Sequence, residues 1–123
     1  NDKYSIAIID DETEILNVLS RFLTRNPDFS VSTYSNPISA LSSLGNSKVD
    51  LVLLDIMMPQ MNGLEVLEKL KVTSPNQKVI MMTAYSTLDK VVKSHKRGAT
   101  NYVMKPFSSL DALEKKVVEV LED

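Results

Sequence analysis

The 123-residue chain carries 14 basic and 16 acidic side chains, a formal charge of −2, so it has no basic field for nucleic acid, and direct nucleic-acid binding by this domain is not expected. It has no cysteine, which excludes disulfides and thiolate metal sites, and no apolar stretch approaches the roughly 18 residues of a membrane span. With 43% hydrophobic residues it can bury a core of its own, so one cytoplasmic domain over residues 1–123 is expected, with no membrane association. The chain opens NDKYSIAII without an initiating methionine or a signal-like region and reads as a piece of a longer protein.

Five β-branched, apolar runs alternate with segments of helical period, the pattern of βαβ units around a parallel sheet. The first run, Tyr4–Ile9, is followed by Asp10, Asp11 and Glu12 and then by Ile15, Leu16, Leu19, Phe22 and Leu23 at helical spacing. A second run, Ser30–Tyr34, leads to a helix over Pro37–Leu44 that closes at Gly45. A third, Val49–Leu54, ends at Asp55 and a methionine-rich loop, after which Leu64, Val66, Leu67 and Leu70 mark a third helix. The fourth, Lys78–Met82, precedes a helix carrying Leu88, Val91, Val92 and His95 on one face and ending at Gly98. A fifth, Asn101–Met104, precedes a last helix with Leu110, Leu113, Val117, Val120 and Leu121 inside, N-capped by Ser108 or Ser109. The central strands are apolar without alternation, as strands covered on both faces should be.

Right-handed crossovers place all five strand C-termini along one edge, and doubly wound sheets bind ligands there, where the strand order reverses. That edge collects Asp10 and Asp11 after the first strand, Asp55 after the third, Thr83 after the fourth and Lys105 after the fifth. Three crowded carboxylates repel unless a cation or shared protons compensate. All-oxygen ligation selects a hard ion, so Mg²⁺ is expected, with Mn²⁺ as a substitute. The substrate that suits Mg²⁺, a lysine and a hydroxyl around a carboxylate is a phosphoryl group. Asp55 would be its acceptor, Lys105 would neutralise the equatorial oxygens, Thr83 would donate a hydrogen bond to one of them, and Ala84 would leave room.

Each residue also has a plainer reading. Asp10, Asp11 and Glu12 suit the positive end of a helix, and Asp55 alone is an ordinary loop aspartate. Lys105 before Pro106 reads as a surface turn, and Thr83 as a strand-end hydroxyl. Met57, Met58 and Met61 read as packing, since thioethers do not suit Mg²⁺. His95 reads as an edge-of-core residue, and Gly45, Gly63 and Gly98 as helix ends or turns. Convergence at one edge favours the functional reading for the three aspartates, Thr83 and Lys105.

The ordered set IIDDE, LLDIMMPQMNG, MTAYS and YVMKPF resembles the receiver domain of two-component response regulators, over essentially the whole chain. The resemblance implies a flavodoxin-like, five-stranded parallel sheet of order 2-1-3-4-5 with five helices, and a phosphorylation-dependent signalling switch. It implies that Asp55 accepts phosphate from a phosphohistidine on a sensor kinase or phosphotransfer protein. Mg²⁺ would be held by Asp11, Asp55 and the main-chain carbonyl of Met57, with Asp10 acting through water. Thr83 and Tyr102 would form the switch, altering the face made by the fourth helix, fifth strand and fifth helix. Met57 and Tyr85 would overhang the site and tune phosphoryl lifetime, and the Lys105-Pro106 bond would be cis. Implied partners are an output domain or downstream protein, with transcription as one output, and phosphorylation-driven dimerisation. The stretch KVIMMTAYSTLDKVV resembles receivers attached to ATPase-type transcription activators. A Mg²⁺-dependent phosphohydrolase is the rival reading, though a second acid or base and a substrate pocket are not visible. A degenerate receiver acting as a binding module is another. A flavin carrier on the same fold is disfavoured, because the carboxylates after the first strand would repel the FMN phosphate.

Overall fold

The structure, a computed structural model, describes residues 3–84, 89, 93 and 96–123. Five parallel strands form one sheet of order β2-β1-β3-β4-β5: β1 (Tyr4–Ile9), β2 (Phe29–Tyr34), β3 (Leu51–Asp55), β4 (Lys78–Thr83) and β5 (Asn101–Met104). Four helices are delineated among the described residues: α1 (Thr13–Leu23), α2 (Pro37–Asn46), α3 (Gly63–Thr73) and α4 (Leu110–Glu122). The expected fourth helix falls mostly outside the described residues, which exclude its Leu88, Val91, Val92 and His95; of that segment Asp89, Lys93 and Lys96 are helical. The structure's α4 is thus the fifth helix read from the sequence.

The doubly wound arrangement follows from side-chain alternation along buried strands. Ile6, Ile8, Leu51, Leu53, Ile80 and Met82 face α1 and α4, where Leu16, Leu19, Leu113 and Val117 meet them. Ala7, Ile9, Val52, Leu54, Val79 and Met81 face the opposite way, toward Ala40 and Leu44 of α2 and Val66, Leu67 and Leu70 of α3. Apolar side chains fill both layers, so β1, β3 and β4 bury apolar residues on both faces.

Local chemistry shifted several boundaries from the sequence reading. Gly45 does not end the second helix, which runs to Asn46; a side chain at Gly45 would meet nothing within 4 Å, so this glycine is placed in the helix without a steric need. The third strand begins at Leu51 rather than Val49 because Asp50 serves as a clasp: its carboxylate accepts from Ser5 N (2.7 Å) and Ser5 Oγ (3.3 Å). The second strand gains Phe29, whose side chain is buried. Asp55 and Thr83 are the last residues of β3 and β4 rather than the first beyond them. The starts of α2, α3 and α4 follow the expected cap chemistry. Asn36 accepts from Ile38 N and Ser39 N, Ser109 rather than Ser108 caps α4 through Ala112 N, and Asn62 with Glu65 forms a reciprocal capping box on α3.

Candidate functional site

At the C-terminal edge the chain keeps its strands in register for one residue more. Asp10 N donates to Tyr34 O (3.1 Å), Ile56 N to Met82 O (3.1 Å) and Lys105 N to Thr83 O (2.6 Å). Alternation then decides where the side chains go. Asp55 continues the series Leu51, Leu53, and Asp10 continues Ile6, Ile8; both belong to the sheet face covered by α1 and α4. Lys105 follows Val103 on that same face. Thr83 continues Val79, Met81 on the opposite face, and Met81 and Thr83 are in register with Tyr102 and Met104 of β5.

Three groups therefore meet without being near in sequence. Lys105 Nζ lies 2.7 Å from Asp10 Oδ2, 3.3 Å from Asp55 Oδ1 and 3.3 Å from Glu12 Oε1. Asp10 is fully buried and Asp55 nearly so, while Asp11 is half-exposed. Carboxylate oxygens of Asp10, Asp11 and Asp55 lie within 4.8 Å of one another. This is a donor set suited to a hard divalent ion, and these are the residues available to hold one.

Burial raises the Asp10 carboxyl above its usual range, offset in part by the Lys105 hydrogen bond and the Glu12 amide. Asp55 is pushed up to about 7, first by burial and then by the charge of Asp10, although Lys105 pulls the other way. Burial opposes charge on Lys105, but hydrogen bonding to Asp10 and the charges of Asp55 and Asp10 outweigh it and raise its pKa. One ammonium thus serves three carboxylates, and the cluster is short of positive charge. A second cation would relieve that shortage.

The surrounding loop is held close. Gly63 N donates to Ile56 O at 2.7 Å, and a Cβ on Gly63 would stand 2.3 Å from Asp55 O and 2.7 Å from Ile56 Cα. Gly63 is therefore required by the close approach of α3 to the Asp55 backbone, a constraint the sequence reading had described only as a helix end. Met58 is buried and Met61 packs against the core, whereas Met57 is 54% exposed; the packing reading holds for the first two and not for Met57. Thr83 is buried and its hydroxyl donates to Ala84 O (3.2 Å). Tyr102 is 38% exposed, with the Lys116 ammonium 5.6 Å from its ring centroid. The Lys105-Pro106 peptide is cis. Tyr85 lies outside the described residues.

Glu12 is the residue sequence reasoning missed. It was read with Asp10 and Asp11 as helix-end acid, yet it stands at the N-cap of α1 without making a side-chain cap hydrogen bond. Its signal was its position: an N-cap favours Ser, Thr, Asp or Asn over glutamate.

The response regulator receiver domain model matches residues 6–118. The chain belongs to that family. It is 34% identical over 120 residues to the transcriptional regulatory protein ZraR of Klebsiella oxytoca, covering 98% of this chain and 27% of that protein. It is 35% identical over 112 residues to the chemotaxis protein CheY of Listeria monocytogenes, covering 88% of this chain and 94% of that protein. Among solved structures, a CheY-like receiver domain protein from Methanospirillum hungatei superposes with a TM-score of 0.91 at 34% identity, covering 98% of this chain and 95% of that one. The receiver domain thus spans about a quarter of the transcriptional regulator it matches and nearly the whole of the chemotaxis protein. No helix among the described residues is long and apolar enough to cross a membrane.

Proposed function

We propose that this receiver domain is a cytoplasmic phosphorylation switch in which Asp55 is the phosphoryl acceptor. The observation that carries the reading is the burial of Asp55 against Asp10 and Lys105 at the C-terminal end of the central strand. A carboxylate kept out of water beside a cation and other carboxylates marks a candidate functional site. A carboxylate oxygen of Asp55 attacks phosphorus, the bond from phosphorus to the donor histidine nitrogen breaks, and the imidazole leaves with that electron pair. Lys105 turns toward the phosphoryl oxygens, and Thr83 exchanges its contact with Ala84 O for one to the new group. Mg²⁺, or Mn²⁺ in its place, fits the Asp10, Asp11 and Asp55 donors, and Asp11, Asp55 and the Met57 main-chain carbonyl would hold it, with Asp10 acting through water. When bound it supplies charge neutralisation for the transferring oxygens.

Phosphorylation adds about one to two negative charges and three acceptor oxygens. Withdrawal of Thr83 toward them opens space on the sheet face it shares with Tyr102, and the tyrosine turns inward. The face around β5 thereby changes between two states whose populations the phosphate shifts. The partners of this reading are a sensor kinase or phosphotransfer protein upstream and an output domain or downstream protein beyond the face, with a phosphorylation-driven dimer as one form of output. Catalysis is limited to the domain's own phosphorylation and dephosphorylation.

Intact mass after incubation with Mg²⁺ and acetyl phosphate tests the reading. One phosphate adduct is expected on the wild type, none on Asp55→Ala and none in EDTA. A wild type that stays unmodified under all conditions would leave a degenerate, binding-only receiver, and steady turnover of phosphate esters would point to a phosphohydrolase.

A further inference from the structure

Glu12 is unexplained by helix capping, because its side chain makes no cap hydrogen bond and the helix end is served instead by Asp10 Oδ1, which accepts from Glu12 N at 2.9 Å. The Glu12 carboxylate reaches Lys105 Nζ at 3.3 Å while its own side chain remains 62% exposed. Of the three carboxylates on this ammonium it is the outermost. Asp10 and Asp55 are 0% and 6% exposed at their side chains, so Glu12 is the one partner of Lys105 among the three that lies largely in solvent.

We infer that Glu12 is a positioning residue that competes with the incoming phosphoryl group for Lys105 and so suppresses phosphorylation by small anionic donors. The inference rests on the proposed role of Asp55 as acceptor. An anionic donor must displace the glutamate from Lys105 and approach past its charge, and both effects oppose it. A protein donor brings its own contacts and offsets that cost, so the glutamate selects for docked donors over free ones. Lys105 remains anchored without Glu12, because Asp10 at 2.7 Å and Asp55 at 3.3 Å still hold it.

The test follows adduct formation by intact mass in Mg²⁺ for wild type, Glu12→Gln and Glu12→Asp. With acetyl phosphate, Asp55 forms its bond to phosphorus as the bond to the acetate oxygen breaks and acetate departs. Glu12→Gln is expected to react about three- to tenfold faster than wild type at low salt, with the ratio shrinking at high salt. The ratio should be smaller for phosphoramidate, which carries less net charge, and Glu12→Asp, which keeps the charge at the rim, should return toward the wild-type rate. A purely structural role moves neither the salt dependence nor the donor-charge dependence. Equal or slower labelling of Glu12→Gln, with the wild type labelled normally, overturns the inference while leaving Asp55 as acceptor. Failure of every protein to label overturns the acceptor reading and this inference together.

Discussion

Replacing Asp55 by asparagine removes a carboxylate that the folded chain holds at a cost, and the size of that cost can be worked out. In the unfolded chain the group ionises near its ordinary value of 3.8, whereas in the fold it is pushed up to about 7 by burial and by Asp10. Each tenfold difference in proton affinity is worth about 1.4 kcal/mol. Below the unfolded value the group is neutral in both states and costs nothing. As pH rises from about 4 to 7 the unfolded chain releases this proton while the folded chain keeps it, so the unfolded state gains and stability falls. Above 7 the loss is complete, at about 4 kcal/mol.

The Asp55→Asn variant escapes this loss and still offers Lys105 an amide oxygen. In EDTA, urea denaturation followed by far-ultraviolet circular dichroism should show the variant more stable than wild type by about 1 kcal/mol at pH 4.5 and by about 4 kcal/mol at pH 8. Mg²⁺ at pH 8 should narrow the gap by stabilising the wild type selectively, as any ligand of the folded state does. A difference that is flat with pH, or an asparagine variant less stable at pH 8, would refute the reasoning. Lys105 would then neutralise Asp55 fully, and the cluster would not be short of positive charge.

Three further outcomes are expected. Gly63→Ala should lose about 2 kcal/mol or more in urea denaturation, because its Cβ would stand 2.3 Å from Asp55 O and backbone cannot yield cheaply; a neutral result would mean that α3 can move off the site. Met57→Asn should shorten the life of the aspartyl phosphate, measured as loss of the mass adduct with time, since an apolar side chain two residues beyond Asp55 hinders in-line attack by water; an unchanged or slower decay contradicts the shielding. Tyr102 should pass from a partly exposed ring to a buried one when a phosphate mimic is added, seen in its side-chain NMR signals, and identical environments in the two states would remove the tyrosine from the switch.

The fold was legible because its strands declare themselves. Runs such as LVLL and VIMM have no polar alternation, and only a strand covered on both faces tolerates that. The strand order and the converging aspartates followed from topology and from the motif set. Boundaries were less legible, and each miss has a local cause. Asp50 delays the start of its strand through a side-chain contact to Ser5, 45 residues away in sequence, and Gly45 gives no sign of whether it ends a helix or continues one. Gly63 was recognised as a turn residue, but the backbone that forbids a side chain there belongs to Asp55, which pattern reasoning does not bring close.

The cation shows the same limit and explains how the site is built. Asp55 follows an apolar strand with no basic residue beside it, and the charge that holds it comes from Lys105, 50 residues later. Strand parity supplies the link. Asp55 ends β3, and Asp10 and Lys105 directly follow β1 and β5, on one sheet face, whereas Thr83 ends β4 on the other. The acceptor cluster and the residue proposed to sense it thereby start from opposite faces of the sheet, and a group added beyond the edge is placed to reach both. On the proposed reading a phosphoryl group on Asp55 would extend past the strand ends in that way, and the parity of a single residue, Thr83, would turn a buried charge cluster into a means of moving the opposite face.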